Sequence, residues 1–120
     1  MVDREKIETL SRGGIYLAKL NPAKKSEVGK VRPVAILTSQ TILNVNPLIV
    51  FICPLSSQSH PEFQRLHLEL PARDSLRVTS YGLVEHCRSI STDRLTLPRI
   101  AQLTTTEIDM ILHRLQIMLE

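Results

Sequence analysis

Arg32 stands beside Pro33 at the head of an apolar run, Val34-Ala35-Ile36-Leu37. A strand start there would hold the side chain firmly, and its forked guanidinium suits two oxygens of one phosphate at once. Five residues earlier, in a polar loop over 22–31, Glu27 offers a carboxylate that can accept a hydrogen bond, take a proton or orient Arg32. The same loop carries Lys24, Lys25 and Lys30. The span 21–33 therefore holds four basic residues and one acidic, a net +3 able to steer an anionic backbone. Ser56 closes a second apolar run, Leu48 to Leu55, and its hydroxyl can donate to a phosphate oxygen. Ser57, Gln58 and His60 follow, and an imidazole near a phosphate is the usual acid–base tool at neutral pH. By residue type alone each also fits a plainer role: a surface arginine beside a structural proline, a hydroxyl capping a strand end, and solvated loop charges.

The wider charge pattern agrees with a phosphate-facing surface. All five lysines lie in the first 30 residues and every Lys or Arg beyond them is Arg, within a net charge of +3. Lineage bias in codon use explains the same asymmetry. The two cysteines, Cys53 and Cys87, sit in apolar strand-like runs and read as small core residues. No Cys/His spacing resembles a zinc site, and neither a metal nor another cofactor is expected. The segment Val2 to Leu10 is charged, so it is not read as a signal peptide. No stretch reaches membrane-spanning length, which points to a reducing cytoplasm.

The elements that must position these groups are short. At 120 residues, 42% hydrophobic and 22% charged, the chain is expected to form one domain over 1–120, with 1–11 as an N-terminal extension. Aromatics are only 3%, too few for a nucleic-acid module built on stacking platforms. A short helix is expected over Asp3–Leu10, with Ile7 and Leu10 inward. Strands are expected at Ile15–Leu20, Val34–Thr38, Leu48–Leu55 (buried on both faces, with a bulge or edge at Pro54), Leu66–Leu70 and Leu83–Ile90. The alternation of Leu66, Leu68 and Leu70 turns His67 outward. His67, His86 and His113 are accordingly read as structural or surface residues. The terminal helix over 104–119 carries the clearest signals: a capping box from Thr104 and Glu107, a Leu103–Ile108 staple, and a stripe of Ile108, Ile111, Leu112, Leu115 and Leu119 widened by Met110 and Ile117. So wide a stripe predicts burial against the sheet and against a second subunit. The expected architecture is mainly β with one helix, a small antiparallel barrel with the helix packed on it.

The strings Arg12-Gly13-Gly14-Ile15-Tyr16-Leu17, Leu20-Asn21-Pro22, Ser26-Glu27, Gly29-Lys30-Val31-Arg32-Pro33-Val34-Ala35-Ile36-Leu37 and Pro54-Leu55-Ser56-Ser57-Gln58, followed by Glu85, Arg88, Ile90, Arg94 and Leu95, together resemble the MazF/PemK (Kid) toxins of type II toxin–antitoxin modules. The resemblance implies an SH3-like barrel of the type shared by MazF, PemK and CcdB. It implies a homodimer and metal-independent cleavage of single-stranded RNA at short motifs, leaving a 2′,3′-cyclic phosphate and a 5′-OH. By the same resemblance Arg32 matches the catalytic Arg of the Gly-x-x-Arg-Pro motif, Ser56 the catalytic Thr and Glu27 the loop Glu. RNA-binding roles then fall to Lys24, Lys25, Lys30, Ser57, Gln58, His60, Glu85 and Arg88. Departures from the pattern are Val28 where Gln is frequent, Ser56 for Thr, and Glu85-His86-Cys87-Arg88 where acid-Gln-hydrophobic-Arg is common. PemK relatives pair a basic residue with an Asp on that strand; only the carboxylate has a counterpart here, with Leu83 at the basic position.

The implied partners are single-stranded RNA, a cognate antitoxin with an acidic tail, and operator DNA bound through that antitoxin. Two other readings compete. A gyrase-binding toxin of the CcdB type shares the fold but relies on a Trp near its C-terminus, and this chain has none. A non-catalytic SH3-like binding module would not require Arg32, Ser56 and Glu27 together.

Overall fold

A computed structural model describes residues 9–20 and 31–120. Seven strands, β1 Gly14–Lys19, β2 Val31–Ile36, β3 Ile49–Ser56, β4 His67–Leu70, β5 Ser80–Leu83, β6 Arg88–Ser91 and β7 Leu95–Gln102, are joined by two helices, α1 Gln40–Leu43 and α2 Thr105–Leu119. They form one antiparallel sheet in the order β4-β5-β3-β2-β1-β7, with β6 alongside the first half of β3. The expected antiparallel architecture with a C-terminal helix is present. As a barrel it is open: among the described residues β4 and β7 form the two ends of the path.

Alternation along the central strands buries both faces. Ile15, Ala35, Cys53 and Leu55 join Leu68, Leu103 and Ile111 in one cluster under α2. Their neighbours Tyr16, Val34, Ile36, Val50 and Ile52 form a second cluster with Leu43 and Ile90 on the opposite face. This two-sided burial is why β3 reads as a continuous apolar run. Cys53 is buried and Cys87 packs against the first cluster, as small core residues do. A hydrogen bond between the two thiols, reinforced by burial, pushes the Cys53 thiol well up, while the same bond lowers that of Cys87.

Three expectations need correction. The strand expected over Leu83–Ile90 is two strands, β5 and β6, separated by a 3₁₀ turn at Val84–His86 that is closed by Cys87 N–H to the Val84 carbonyl at 3.1 Å. The cause lies in β3. The β6 register, Ile52 opposite Arg88, would place Leu55 opposite Glu85, yet Leu55 faces Gly82. Pro54, lacking an N–H, sits where β3 changes partner. Second, β2 begins at Val31 rather than Val34, because Val31, Arg32 and Pro33 pair with Lys19, Ala18 and Leu17 of β1. Third, α1 and β7 were not expected from the pattern. Ser39 caps α1, accepting from Ile42 N–H, and Leu43 anchors it. β7 holds an edge of the sheet, where the missing N–H of Pro98 is tolerated.

The terminal helix forms as its sequence dictates. Thr104 Oγ1 accepts the Glu107 N–H at 3.1 Å, and Glu107 returns a carboxylate to the Thr104 N–H at 2.9 Å. Both Glu107 oxygens also bind Arg73, at 2.5 and 2.6 Å. Ile111 is fully buried, Ile108, Leu112 and Leu115 are half-buried, and Met110, Ile117 and Leu119 are exposed. The helix expected over Asp3–Leu10 lies outside the described residues as far as Glu8; Leu10 packs against the second cluster.

Candidate active site

The β2–β3 register pairs Val34 with Pro54, and continuing it by two residues sets Arg32 across from Ser56. Both line a cleft of about 550 Å³ with Ser57, Gln58, His60, Phe63, His67, Leu83, Glu85 and His86. Arg32 is therefore a strand residue, held by β1 on one side, and it lines the cleft. Ser56 Oγ accepts the Gln58 N–H at 3.1 Å, which makes it the turn-capping hydroxyl that its position also suggested. That bond uses an acceptor lone pair and leaves the O–H proton free to donate.

Six of the expected site residues meet in this cleft: Arg32, Ser56, Ser57, Gln58, His60 and Glu85. Arg88 does not line it. It lies on β6 opposite Ile52, beyond the turn that carries Glu85. Glu27, Lys24, Lys25 and Lys30 lie outside the described residues.

Sequence reasoning missed His67. Its Nε2 lies 2.7 Å from Glu85 Oε2, and its side chain is 5% exposed against 28% for the carboxylate. The alternation in β4 predicted an outward histidine. Its burial comes instead from segment 57–63, whose His60 and Phe63 rings stand 6.0 and 5.5 Å from the imidazole. No local signal in the sequence marks that fold-back. Burial pushes the Glu85 carboxyl up, but hydrogen bonds from His67 and the backbone, together with His67 and His86 nearby, outweigh it and leave the group below its ordinary value. His86 Nε2 lies 3.9 Å from Glu85 Oε2. Among the described residues, His67 Nδ1 and Glu85 Oε1 are buried without a hydrogen-bond partner.

The cleft thus presents a forked cation, a hydroxyl donor and a carboxylate–imidazole pair, a set suited to gripping a phosphate while moving a proton beside it. Among the described residues no group of three His, Cys, Asp or Glu side chains is placed to hold a metal ion. No helix among them is long and apolar enough to cross a membrane.

Comparison with known proteins agrees with this arrangement. Residues 11–119 match the family described as PemK-like, MazF-like toxin of type II toxin-antitoxin system. The Endoribonuclease EndoA of Bacillus subtilis is 31% identical over 111 residues, 92% of this chain and 94% of that protein. Endoribonuclease MazF of Staphylococcus saprophyticus is 29% identical over 87 residues, 72% of each chain. Among solved structures, MazF from Deinococcus radiodurans superposes with a TM-score of 0.76 at 19% identity, over 94% of this chain and 98% of that one. A MazE–MazF structure from the same organism gives 0.74 at 20% identity, over 94% and 97%.

Proposed function

Because the chain belongs to the PemK-like, MazF-like toxin family of type II toxin–antitoxin systems, we propose that it is an endoribonuclease that cuts single-stranded RNA without a metal. The ribose 2′-oxygen attacks the adjacent phosphorus, the bond to the 5′-oxygen breaks, and the products are a 2′,3′-cyclic phosphate and a 5′-OH. Arg32 grips two phosphate oxygens and stabilises the charge that builds on the pentacoordinate phosphorus. A guanidinium stays protonated at working pH and has no lone pair to accept a further proton, so its part is electrostatic. Ser56 donates its free O–H to the same phosphate. Ser57, Gln58, His60 and Glu85 line the path of the flanking nucleotides, with Arg88 beyond them on β6. Glu27 serves as a further carboxylate toward the 2′-hydroxyl or Arg32, and Lys24, Lys25 and Lys30 steer the RNA backbone.

An antitoxin silences the enzyme, as the MazE–MazF assembly among its structural relatives suggests. Its acidic tail would lie over the same basic groove, and the complex would bind operator DNA through the antitoxin. The protein acts in the cytoplasm as a two-fold homodimer. Exposed apolar residues support this: Val45 and Leu48 before β3, and Ile117, Met118 and Leu119 at the end of α2.

The observation that carries the reading is the single cleft in which Arg32 and Ser56 meet a carboxylate–imidazole pair. Its test is incubation with a mixed-sequence single-stranded RNA, with 5′-OH ends read by kinase labelling, in the presence and absence of EDTA. Cleavage at short motifs with EDTA indifferent is the expected result. Intact RNA, or activity abolished by EDTA, would overturn it.

A further inference from the structure

We propose that Cys53 and Cys87 form an oxidation site: Cys87 reduces hydrogen peroxide, and Cys53 then closes a disulfide that draws in the turn carrying Glu85. Neither cysteine lines the cleft. The oxidation stands by itself, and only its effect on cleavage rests on the endoribonuclease reading above.

The strand register brings the two cysteines together. β3 pairs with β6 as far as Ile52 opposite Arg88, and the next position sets Cys53 across from Cys87. The Cys87 N–H is committed to the Val84 carbonyl at 3.1 Å, so the two residues do not exchange both ladder bonds. Antiparallel neighbours of that kind have Cα atoms about 4.5 Å apart, inside the span of roughly 4.4–6.8 Å that a disulfide bridges. Both side chains turn to the same face: Cys53 belongs to the cluster under α2, and Cys87 packs against it.

Their environments divide the work. Cys53 is fully buried, so it cannot meet an oxidant first. Cys87 is partly exposed. The hydrogen bond with Cys53 holds its thiol below the ordinary value, against burial and the Glu85 charge. An accessible thiol of lowered pKa with a second thiol behind it is the pattern of a peroxide-sensitive cysteine and its resolving partner.

The chemistry balances in two steps. The Cys87 thiolate attacks one oxygen of the peroxide and the O–O bond breaks. The sulfur becomes a sulfenic acid, and the departing oxygen takes up the thiol's proton and leaves as water. The Cys53 sulfur then attacks the Cys87 sulfur. The S–S bond forms, the S–O bond breaks, and the hydroxyl leaves with the Cys53 proton as a second water. Two thiols lose two electrons, and the peroxide gains them.

The consequence reaches the cleft through one turn. Cys87 closes Val84–His86, and Glu85 and His86 line the cleft with Arg32 and Ser56. A covalent S–S bond is much shorter than any thiol–thiol contact, so it pulls Cys87 toward β3 and the turn with it. Displacing active-site groups by about 1 Å can cost on the order of a hundredfold in rate.

The test treats the reduced protein with hydrogen peroxide and reads intact mass, with and without the sulfenic-acid trap dimedone, beside single-turnover RNA cleavage. The wild type should lose two hydrogens at the mass of a single chain, and a peptide map without reductant should join Cys53 to Cys87. Cys53→Ala should instead take up dimedone at Cys87, and Cys87→Ala should stay unmodified at Cys53. Oxidised wild type should cleave RNA roughly tenfold or more slowly. Dithiothreitol should restore the rate, which it does not do after methionine oxidation, and Cys87→Ala should show no loss that dithiothreitol reverses. Wild type that keeps both hydrogens, a cross-link between two chains in place of one within a chain, or dimedone on Cys53 rather than Cys87 would each overturn the oxidation site. The wild-type mass decides this even where a variant fails to fold. A disulfide formed with an unchanged rate overturns the coupling to the turn. Reduced wild type that leaves RNA intact overturns the endoribonuclease reading alone, since the mass still reads the disulfide.

Discussion

Ser56 Oγ accepts the backbone N–H of Gln58 at 3.1 Å, so one hydroxyl both closes the turn after β3 and faces the cleft that holds Arg32. A threonine at this position keeps the oxygen and the proton and adds only a methyl that restricts the rotamer. Ser56→Thr is therefore expected to cleave RNA at close to the wild-type rate. Ser56→Ala loses the turn bond and the donor together, about 0.5–1.5 kcal/mol for one net hydrogen bond, or up to roughly tenfold in rate. Single-turnover cleavage of the three proteins checks the order. An alanine variant as fast as the threonine variant would remove Ser56 from the chemistry.

Arg32 carries a larger share. A donor preorganised toward developing charge is worth roughly 2.7–4 kcal/mol, about a hundred- to a thousandfold in rate. Arg32→Ala should lose that much turnover while binding a 2′-deoxy RNA almost as well as the wild type. Arg32→Lys should recover little, since one ammonium cannot grip two oxygens in the fork geometry. Loss of binding in proportion to loss of rate would reassign Arg32 to holding the RNA.

Glu107 ties the helix to the sheet side. Its carboxylate binds Arg73 through both oxygens and closes the capping box with Thr104. The Arg73 hydrogen bonds first, and those from Thr104 after them, hold its pKa below the ordinary carboxylate value against the opposing effect of burial. A depressed native pKa sets the sign. The pair's stabilisation is fully present above the unfolded value of about 4.3 and is lost as pH falls through the lower native value. Urea midpoints of the wild type should drop across that acid window, and Arg73→Ala should flatten the drop. Thr104→Ala should cost about 1 kcal/mol at neutral pH. An equal acid slope in Arg73→Ala would show that other carboxylates carry it.

How much could be read in advance follows the range of each interaction. The capping box of α2 and the two-sided burial of β3 rest on local period, which residue types encode, whereas Arg32 and Ser56 were brought to one site by the family resemblance. The break at Val84–His86 depends on β3 changing partner at Pro54, which no window around residue 85 contains. His67 reads as structural or surface by type and strand position, and only tertiary packing decides between the two. Its strand alternates correctly, but the His60 and Phe63 rings that enclose it come from a segment whose return is set by tertiary packing. β7 was invisible because an exposed edge strand with a central proline lacks the apolar alternation that marks a strand.

Gly13 offers a test of how β2 is anchored at the end away from the cleft. Its φ is +80°, its N–H donates to the Ile36 carbonyl at 2.7 Å, and its own carbonyl accepts the Leu103 N–H at 2.8 Å. One residue thus joins the end of β2 to the chain entering α2. A side chain would be strained twice: a positive φ costs an L-residue roughly 1–2 kcal/mol, and a Cβ would stand 2.5 Å from Ile108 Cδ1 and 2.8 Å from Gln102 Nε2. Ile108→Val removes the first of those atoms and leaves the backbone strain in place. Gly13→Ala should therefore lower the urea midpoint without changing the slope, and should cost measurably less in the Ile108→Val background than in the wild type. The residual cost in that background combines the backbone strain, about 1–2 kcal/mol, with the remaining contact to Gln102 Nε2. Equal costs in both backgrounds would show that the Ile108 contact relaxes freely, and no cost in either would refute the left-handed turn at Gly13.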